Sequence, residues 1–166
     1  MPNIGDTVTV VGFNWIILDK NENAILCFSK ESFGSVRFND ETNNYAESHI
    51  RDECKGIEQY ITSNIGKENL FDVSIDLTTL DGLDDYGSVT DKVGLLTLDM
   101  YRQYNHIIDK CNIRLSWWLA TAGSTSYRDE DDYCCYVNNN GKILTGFCGR
   151  NRQLYPFVVF KKSVFE

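Results

Sequence analysis

The segment SWWLATAGSTSYRDEDDYCCYVNNNGKI, residues 116–143, decides how this chain folds. Residues 116–121 read as an apolar strand, and residues 133–138 read as a second strand that returns after a stretch of small and acidic residues. The stretch NNNGK then predicts a tight hairpin into a third strand, residues 142–147, because Asn and Gly accept positive φ. The segment therefore predicts a rigid sheet that displays the residues between its first two strands as a loop.

Strands are also predicted near both ends of the chain. DTVTVVGFNWIILDK, residues 6–20, alternates apolar and polar positions and predicts two strands, and AILCFSK, residues 24–30, predicts a third. Residues 155–161 predict a closing strand.

Two helices are predicted from apolar residues at helical spacing. The first occupies residues 44–66, with Asn44 as N-cap and Glu47 completing a capping box. The second follows Thr97 and occupies residues 98–109. Together with the strands they predict one α+β domain, residues 1–166, with a mainly antiparallel sheet and long irregular loops. Residues 1–122 and the closing strands are the predicted scaffold, and residues 123–133 and 147–155 are the predicted displayed loops.

Composition narrows the classes of partner. A chain of 166 residues, 42% of them hydrophobic, can bury one core. The net charge of −8, with no stripe of Lys or Arg, excludes nucleic acid as a partner. No apolar run approaches the ~20 residues of a membrane helix. The first residues, MPNIGDTV, lack the features of a signal peptide, so synthesis in the cytoplasm is predicted.

The chemistry-bearing residues are few. Six cysteines occur without a Cys-x-x-Cys pair, and with only two histidines a zinc site is not expected. Reduced thiols are the default prediction because no export signal is present. Neither a Gly-x-Ser-x-Gly motif nor a Gly-rich phosphate loop occurs. We therefore predict a protein that is not an enzyme, with no catalytic residue, no metal site and no cofactor.

Five stretches carry a resemblance to a known family: YAESHIRDE, DKVGLLTLDMYRQY, SWWLATAGS, CYVNNNGKI and LYPFVVF. In this order they resemble a bacterial and phage domain family of uncharacterised function whose motifs include W-W-L-R-S. The closing half is similar to C-type-lectin-like domains, including formylglycine-generating-enzyme-type domains and the variable proteins of diversity-generating retroelements. Two positions depart from the family pattern. Ala120 and Tyr155 stand where the family has arginine, so any role of those arginines is not carried over.

The resemblance implies a C-type-lectin-like fold and a ligand-binding domain that binds a protein or a glycan, in a phage or a bacterium. Membership among the diversified variable proteins is one form of this function. A structural subunit of a virion or surface assembly is an alternative, and it would make the chain virion-associated and oligomeric. A formylglycine-generating-type oxidase that uses Cys134 or Cys148 with a metal is a further alternative.

Three features of the opening segment have competing interpretations. Trp117 and Trp118 face opposite ways on a strand, and we expect them to pack in the structure rather than to stack on a sugar. Cys134 and Cys135 are expected to act as small buried hydrophobic residues, because a vicinal disulfide is strained. Two sets of charged residues are predicted to be solvated rather than to bind calcium or other groups: the acidic residues 81, 84, 85 and 129–132, and His49 and Arg51 on the first helix.

The composition of the two displayed loops predicts a recognition surface. Tyrosine gives contact area at low entropic cost, and short polar side chains adapt their hydrogen bonds. The first loop is acidic and the second carries two arginines, so the loops either pair with each other or form a surface of mixed charge. The predicted ligand-binding residues are Ser124, Ser126, Tyr127, Arg128, Asp129, Asp131, Asp132, Tyr133, Arg150, Asn151, Arg152, Gln153 and Tyr155.

Overall fold

The computed structural model describes residues 1–166 as two α-helices, twelve β-strands and short 3₁₀ turns. The helices are α1 (His49–Ile65) and α2 (Leu98–Ile108). The strands are β1 (Thr7–Val10), β2 (Phe13–Lys20), β3 (Ala24–Ser29), β4 (Ser35–Arg37), β5 (Val73–Asp76), β6 (Ser88–Asp91), β7 (Val93–Leu95), β8 (Trp117–Ala122), β9 (Tyr133–Val137), β10 (Ile143–Phe147), β11 (Asn151–Gln153) and β12 (Pro156–Lys161).

Two five-stranded sheets and a separate hairpin hold these strands. The first sheet has the order β1-β2-β3-β12-β7 and is antiparallel throughout. The second has the order β10-β9-β8-β11-β4 and is antiparallel except where β11 meets β8. Strands β5 and β6 form the hairpin. The predicted class, α+β with two helices and mainly antiparallel sheet, is confirmed at this level. Neither helix combines the length and the apolar character that crossing a bilayer requires.

The elements around the opening segment lie close to their predicted positions. Strands β8, β9, β10 and β12 each begin and end within one residue of prediction. Helix α2 begins after Thr97, whose hydroxyl accepts a hydrogen bond from Met100 N at 3.2 Å. This cap satisfies one of the free N–H groups of the first turn, as the sequence predicted.

The start of α1 differs from the prediction. Asn44 caps a short 3₁₀ turn by accepting from Ala46 N, and Ser48 caps α1 by accepting from Arg51 N at 3.2 Å. Arg51 is also not solvated, because its guanidinium binds the carboxylate of Asp91 through two hydrogen bonds of 2.9 Å. His49 is exposed, as predicted.

Four short strands, β4, β5, β6 and β11, were not predicted. The hairpin of β5 and β6 lies in the middle region that read as irregular. Strand β11 lies within the predicted loop 147–155, where it pairs with the three-residue strand β4. The second loop is therefore partly a strand and only partly displayed.

Both tryptophans of the opening segment are structural. Trp117 and Trp118 are almost completely buried, on opposite faces of β8. Trp118 donates from Nε1 to Val36 O at 2.9 Å, which ties β8 to β4. The ring of Trp117 packs against three other aromatic rings, those of Phe28, Tyr101 and Tyr155. The expectation of structural packing is confirmed.

Candidate ligand-binding surface

The first loop, residues 123–133, is anchored along its inner side by its own backbone. Gly123 N donates to Tyr133 O at 2.9 Å where the loop leaves β8 and enters β9. Thr125 starts a 3₁₀ turn, Ser126–Arg128, by accepting from Tyr127 N. Its carbonyl then accepts from Arg128 N and Glu130 N at 3.0 and 3.2 Å. The tip of the loop is therefore a closed turn.

Asn43 holds the first loop from below. Its side chain is completely buried, and Nδ2 donates to Ser124 O and to Tyr133 O, both at 2.9 Å. Its Oδ1 accepts from Tyr86 Oη at 2.6 Å, and its backbone N–H donates to Asp131 O at 2.9 Å. One amide thus fixes both ends of the loop. Nothing in the sequence around Asn43 indicated this role.

Two carboxylates from the segment DGLDDYG also hold the loop. Asp81 Oδ2 accepts from Ser124 Oγ at 2.7 Å, and Asp85 Oδ2 accepts from Thr125 Oγ1 at 2.8 Å. The hydrogen bonds from Ser124 and Thr79 lower the pKa of Asp81 below its usual value. The expectation that both acids are merely solvated is wrong, because the first loop folds back onto this segment.

The lowered pKa of Asp81 predicts an acid-sensitive anchor. Since the folded-state pKa lies below the usual 3.8, the stabilisation by Asp81 is complete above pH 3.8 and is lost as the pH falls through the lowered value. We expect Asp81→Asn to be less stable than the unmodified chain at pH 7, and the difference to shrink below about pH 3.8. Urea unfolding between pH 7 and pH 3 measures it. A difference that stays constant over this range would contradict the prediction, and Asp84→Asn is the control because Asp84 accepts no side-chain hydrogen bond.

The outer side of the first loop presents tyrosines and mixed charge. The side chain of Tyr127 is 77% exposed and that of Tyr133 is 41% exposed. Arg128 lies at the edge of this surface, with Nη1 at 3.4 Å from Asp81 Oδ2. Phe147 is the cross-strand partner of Tyr133 and is 39% exposed. Two aromatic residues thus project from the same face of the sheet at the base of the loop.

The acidic residues of the first loop are mostly exposed and are not grouped as metal ligands. Residues 129–131 are exposed, Asp129 has a positive φ of 58°, and no group of three or more His, Cys, Asp or Glu side chains is arranged to hold a metal ion. No ion pair joins the acidic residues to Arg150 or Arg152, so the two loops do not neutralise each other. The charges of Asp129, Glu130, Asp131 and Arg150 are exposed on the surface.

The second loop, residues 147–155, contributes less surface than predicted. Tyr155 is buried in the core, where it stacks on Phe28 at 5.9 Å between ring centroids. Arg152 lies half-buried over the ring of Tyr136 at 3.8 Å and over that of Trp118 at 4.5 Å, in cation–π geometry. Arg150 and Asn151 are exposed. The arginine ties β11 to the sheet, which explains why it does not reach outward.

The predicted ligand-binding residues therefore divide by exposure. Ser124 and Tyr155 are buried and face the interior, which corrects their placement on the displayed surface. Three are half-buried: Asp132, Arg152 and Gln153. Eight are exposed: Ser126, Tyr127, Arg128, Asp129, Asp131, Tyr133, Arg150 and Asn151. Prediction from the sequence missed Asn43, Asp81, Asp85 and Phe147. For Phe147 there was one available signal. Phe147 follows Thr145 by two residues at the end of a predicted strand, which places both side chains on the same face of the sheet.

The cysteines are buried thiols rather than reactive ones. All six are free, and all but Cys111 are buried. Burial raises the pKa of Cys135 to about 12 and that of Cys148 to about 11, and raises the pKa of Cys134 well above its usual value. These thiols are protonated at neutral pH, whereas nucleophilic and metal-binding cysteines are thiolates. Neither His49 nor His106 hydrogen-bonds to a cysteine.

We call the first loop together with Phe147, Arg150 and Asn151 the loop surface. It combines exposed aromatic side chains with a fixed backbone. Comparison of the chain with protein-family models, with curated proteins and with solved structures gave no match.

Proposed function

We propose that this chain is a non-enzymatic, C-type-lectin-like binding domain whose loop surface binds a protein or glycan ligand. The observation that carries the proposal is the side chain of Tyr127, which is 77% exposed at the tip of a loop whose backbone is fixed. Tyrosine and tryptophan are enriched among the few residues that carry most of the binding energy at interfaces. The C-type-lectin-like assignment is supported by the two helices, the antiparallel sheets and the long anchored loop.

Preorganisation is the physical basis of this function. Asn43, Asp81 and Asp85 fix the loop before any ligand arrives, so little conformational entropy is lost on binding. Tyrosine itself loses little entropy and offers both an apolar ring and a hydroxyl. With acidic residues beside Arg128 and Arg150, the surface suits a ligand that is polar and mixed in charge.

A protein ligand is favoured over a glycan by the same residues. The two tryptophans that could stack on a sugar ring are buried, and the acidic residues form no calcium site. Tyr133 and Phe147 instead form a small apolar patch within a polar rim, the arrangement found in protein–protein interfaces.

Ligand selection followed by substitution tests the proposal. The labelled chain is used to select ligands from a peptide-display library and to probe a glycan array. We expect Tyr127→Ala to weaken binding of the selected ligand about tenfold or more, as loss of a central aromatic contact does. Tyr60→Ala, on α1, is the matched control because Tyr60 is also an exposed tyrosine, 53% accessible. Equal binding by both variants would place the ligand elsewhere on the molecule.

The diversified form of this function has a separate test. In a diversity-generating retroelement, a near-copy of the codons for about residues 117–160 lies beside a reverse transcriptase gene. A copy that differs mainly at adenines, with the differences at exposed loop residues such as Tyr127 and Asn151, would identify a variable protein. Without such a copy, the loop surface has a fixed sequence and a single ligand is expected.

A further inference from the structure

Strand β10 is the end strand of the second sheet, and one of its two edges is free. It pairs with β9 from Ile143↔Val137 to Phe147↔Tyr133. The flanking hydrogen bonds, Asn138 N to Lys142 O and Cys148 N to Asp132 O, place the bonded pairs at even-numbered residues of β10. In an antiparallel ladder the N–H and C=O groups of the alternate residues then point away from β9. These residues are Ile143, Thr145 and Phe147.

The outward groups of β10 have almost no partners within the chain. Phe147 O accepts from Arg150 N at 3.2 Å and from Arg152 Nη1 at 3.5 Å. The remaining outward N–H and C=O groups of Ile143, Thr145 and Phe147 take part in no hydrogen bond outside the sheet. Proteins usually protect such an edge with a charge, a proline or a bulge. Residues 143–147, ILTGF, contain none of these.

The side chains of β10, like its backbone, favour pairing with a further strand. Leu144 is 44% exposed and Phe147 is 39% exposed, which makes this edge apolar. The edge strand β1 differs because it carries no large exposed hydrophobic side chain and its Thr7 hydroxyl accepts from Lys30 Nζ. The edge strand β4 has three residues and ends in the exposed Arg37. Strand β7, the other edge of the first sheet, is buried. Among the edges of the two five-stranded sheets, β10 is therefore the exposed apolar edge at which a further strand can pair.

We propose that β10 pairs antiparallel with β10 of a second copy of this chain, about a two-fold axis at Thr145. In this register Thr145 lies opposite Thr145, Ile143 opposite Phe147, and Leu144 opposite Gly146. The two Thr145 residues exchange N–H to C=O hydrogen bonds, and each Phe147 N–H reaches Ile143 C=O of the other copy. Phe147 meets the apolar Ile143, Leu144 meets Gly146 with the Arg152 guanidinium above it, and no like charges face each other.

Charge favours a second copy as the occupant. The same register brings Lys142 opposite Cys148 of the second copy, and Cys148 pairs in turn with Asp132. Lys142 and Asp132 of the second copy are thus separated by two inter-strand spacings, about 10 Å. A lysine and an aspartate side chain together span this distance. The two-fold axis makes this contact twice. The paired sheet would have ten strands, with the two loop surfaces at opposite ends of the paired strands.

A cross-link at the axis tests the register. Directly opposed residues of a bonded antiparallel pair have Cα atoms about 5.5 Å apart, within the range a disulfide spans. Cys135 is the cross-strand neighbour of Thr145 on β9 and would compete for a thiol at position 145, so both cysteine variants are made in a Cys135→Ala background. In that background we expect Thr145→Cys to form a covalent dimer on mild oxidation, visible on a non-reducing gel. Ser88→Cys, on the exposed strand β6, is the matched control and should remain monomeric. The unmodified chain gives the background from its native thiols.

Sedimentation of the chain without a cross-link tests association itself. A small interface of this kind is expected to give a weak dimer, with a dissociation constant on the order of 10–100 μM. Thr145→Asp places two carboxylates face to face at the axis, and we expect it to raise that constant about tenfold or more. Thr9→Asp on β1 should leave it unchanged, and circular dichroism checks that both variants fold.

Three results would overturn the proposal. One is a chain that stays monomeric up to about 500 μM, beyond the range of a functional weak dimer. Another is a dimer that Thr145→Asp leaves intact, which would place the interface elsewhere. The third is a monomeric chain whose edge binds a synthetic peptide of residues 142–148, which would assign the edge to extended peptides rather than to a second copy.

Discussion

Replacing Asn43 with alanine is expected to lower the free energy of unfolding by about 3 kcal/mol. The substitution removes the two donors that bind Ser124 O and Tyr133 O, and the acceptor for Tyr86 Oη. Because Asn43 is completely buried, water does not replace these partners without entering the core. Urea unfolding followed by circular dichroism measures the change.

The effect on the first loop distinguishes an anchor from ordinary core packing. In Asn43→Ala we expect amide exchange of residues 123–133 to accelerate more than that of α1 or β12, since the lost bonds all end in or beneath the loop. Asn43→Asp keeps the side-chain shape but has no N–H donors, so it should be no more stable than the alanine variant near neutral pH. The matched control is Asn44→Ala, which removes one capping bond to Ala46 N and should cost about 1 kcal/mol. Similar losses for Asn43→Ala and Asn44→Ala would refute the anchoring role.

Replacing Asp91 with alanine is expected to cost about 3 kcal/mol or more. Asp91 is almost fully buried, at 6% side-chain exposure, and it binds Nε and Nη2 of Arg51 in a bidentate pair. That contact raises the pKa of Arg51 further. The guanidinium stays charged even when its partner is removed, because the ordinary pKa of arginine is already far above neutral. The variant therefore leaves a charge at 18% exposure with only Ala46 O as an acceptor.

The neighbouring ion pair provides the control. Lys92 Nζ lies 2.8 Å from Asp72 Oδ1, but Asp72 is 63% exposed, so Asp72→Ala should cost less than about 1 kcal/mol. The double variant Arg51→Met with Asp91→Leu should recover part of the loss, since a buried ion pair is often replaced by apolar side chains without penalty. Thermal unfolding of the four proteins measures the series. Equal effects for Asp91→Ala and Asp72→Ala would show that burial of the pair contributes nothing.

Local patterns predicted the regular elements well. The alternation in β8, β9 and β10, the NNNGK turn and the cap at Thr97 are all properties of neighbouring residues, and each gave the right element. The burial of both tryptophans also followed from a local fact, since adjacent residues of a strand face opposite ways. The cap of α1 was missed because both Asn44 and Ser48 are good N-caps, and only the tertiary structure selects between them.

The anchors of the candidate site were not predictable in this way. Asn43 contacts Ser124 and Tyr133, and Asp81 contacts Ser124, across long separations in sequence. An isolated Asn or Asp in a polar stretch has the same appearance whether it faces water or holds a distant loop. Arg51 was misjudged for the same reason, because its position off the apolar stripe of α1 says nothing about Asp91.

The composition of the loops identified the surface but not its exposed part. Tyr127 and Tyr155 have the same side chain, yet one is at a loop tip and the other is in the core. The difference arises from β11, whose three polar residues NRQ carry no strand signal and are held by β4 and β8. Strand pairing of this length is decided by its tertiary neighbours rather than by propensity.

The place of β12 in the first sheet has a consequence for the newly made chain. Strand β12 is synthesised long after β3, yet it lies between β3 and β7. At typical rates of synthesis, β3 waits roughly ten seconds for its partner, with its apolar edge unpaired. During that interval the unpaired edge of β3 is a template for other strands, so the order of the strands in the chain makes this edge an aggregation hazard during synthesis.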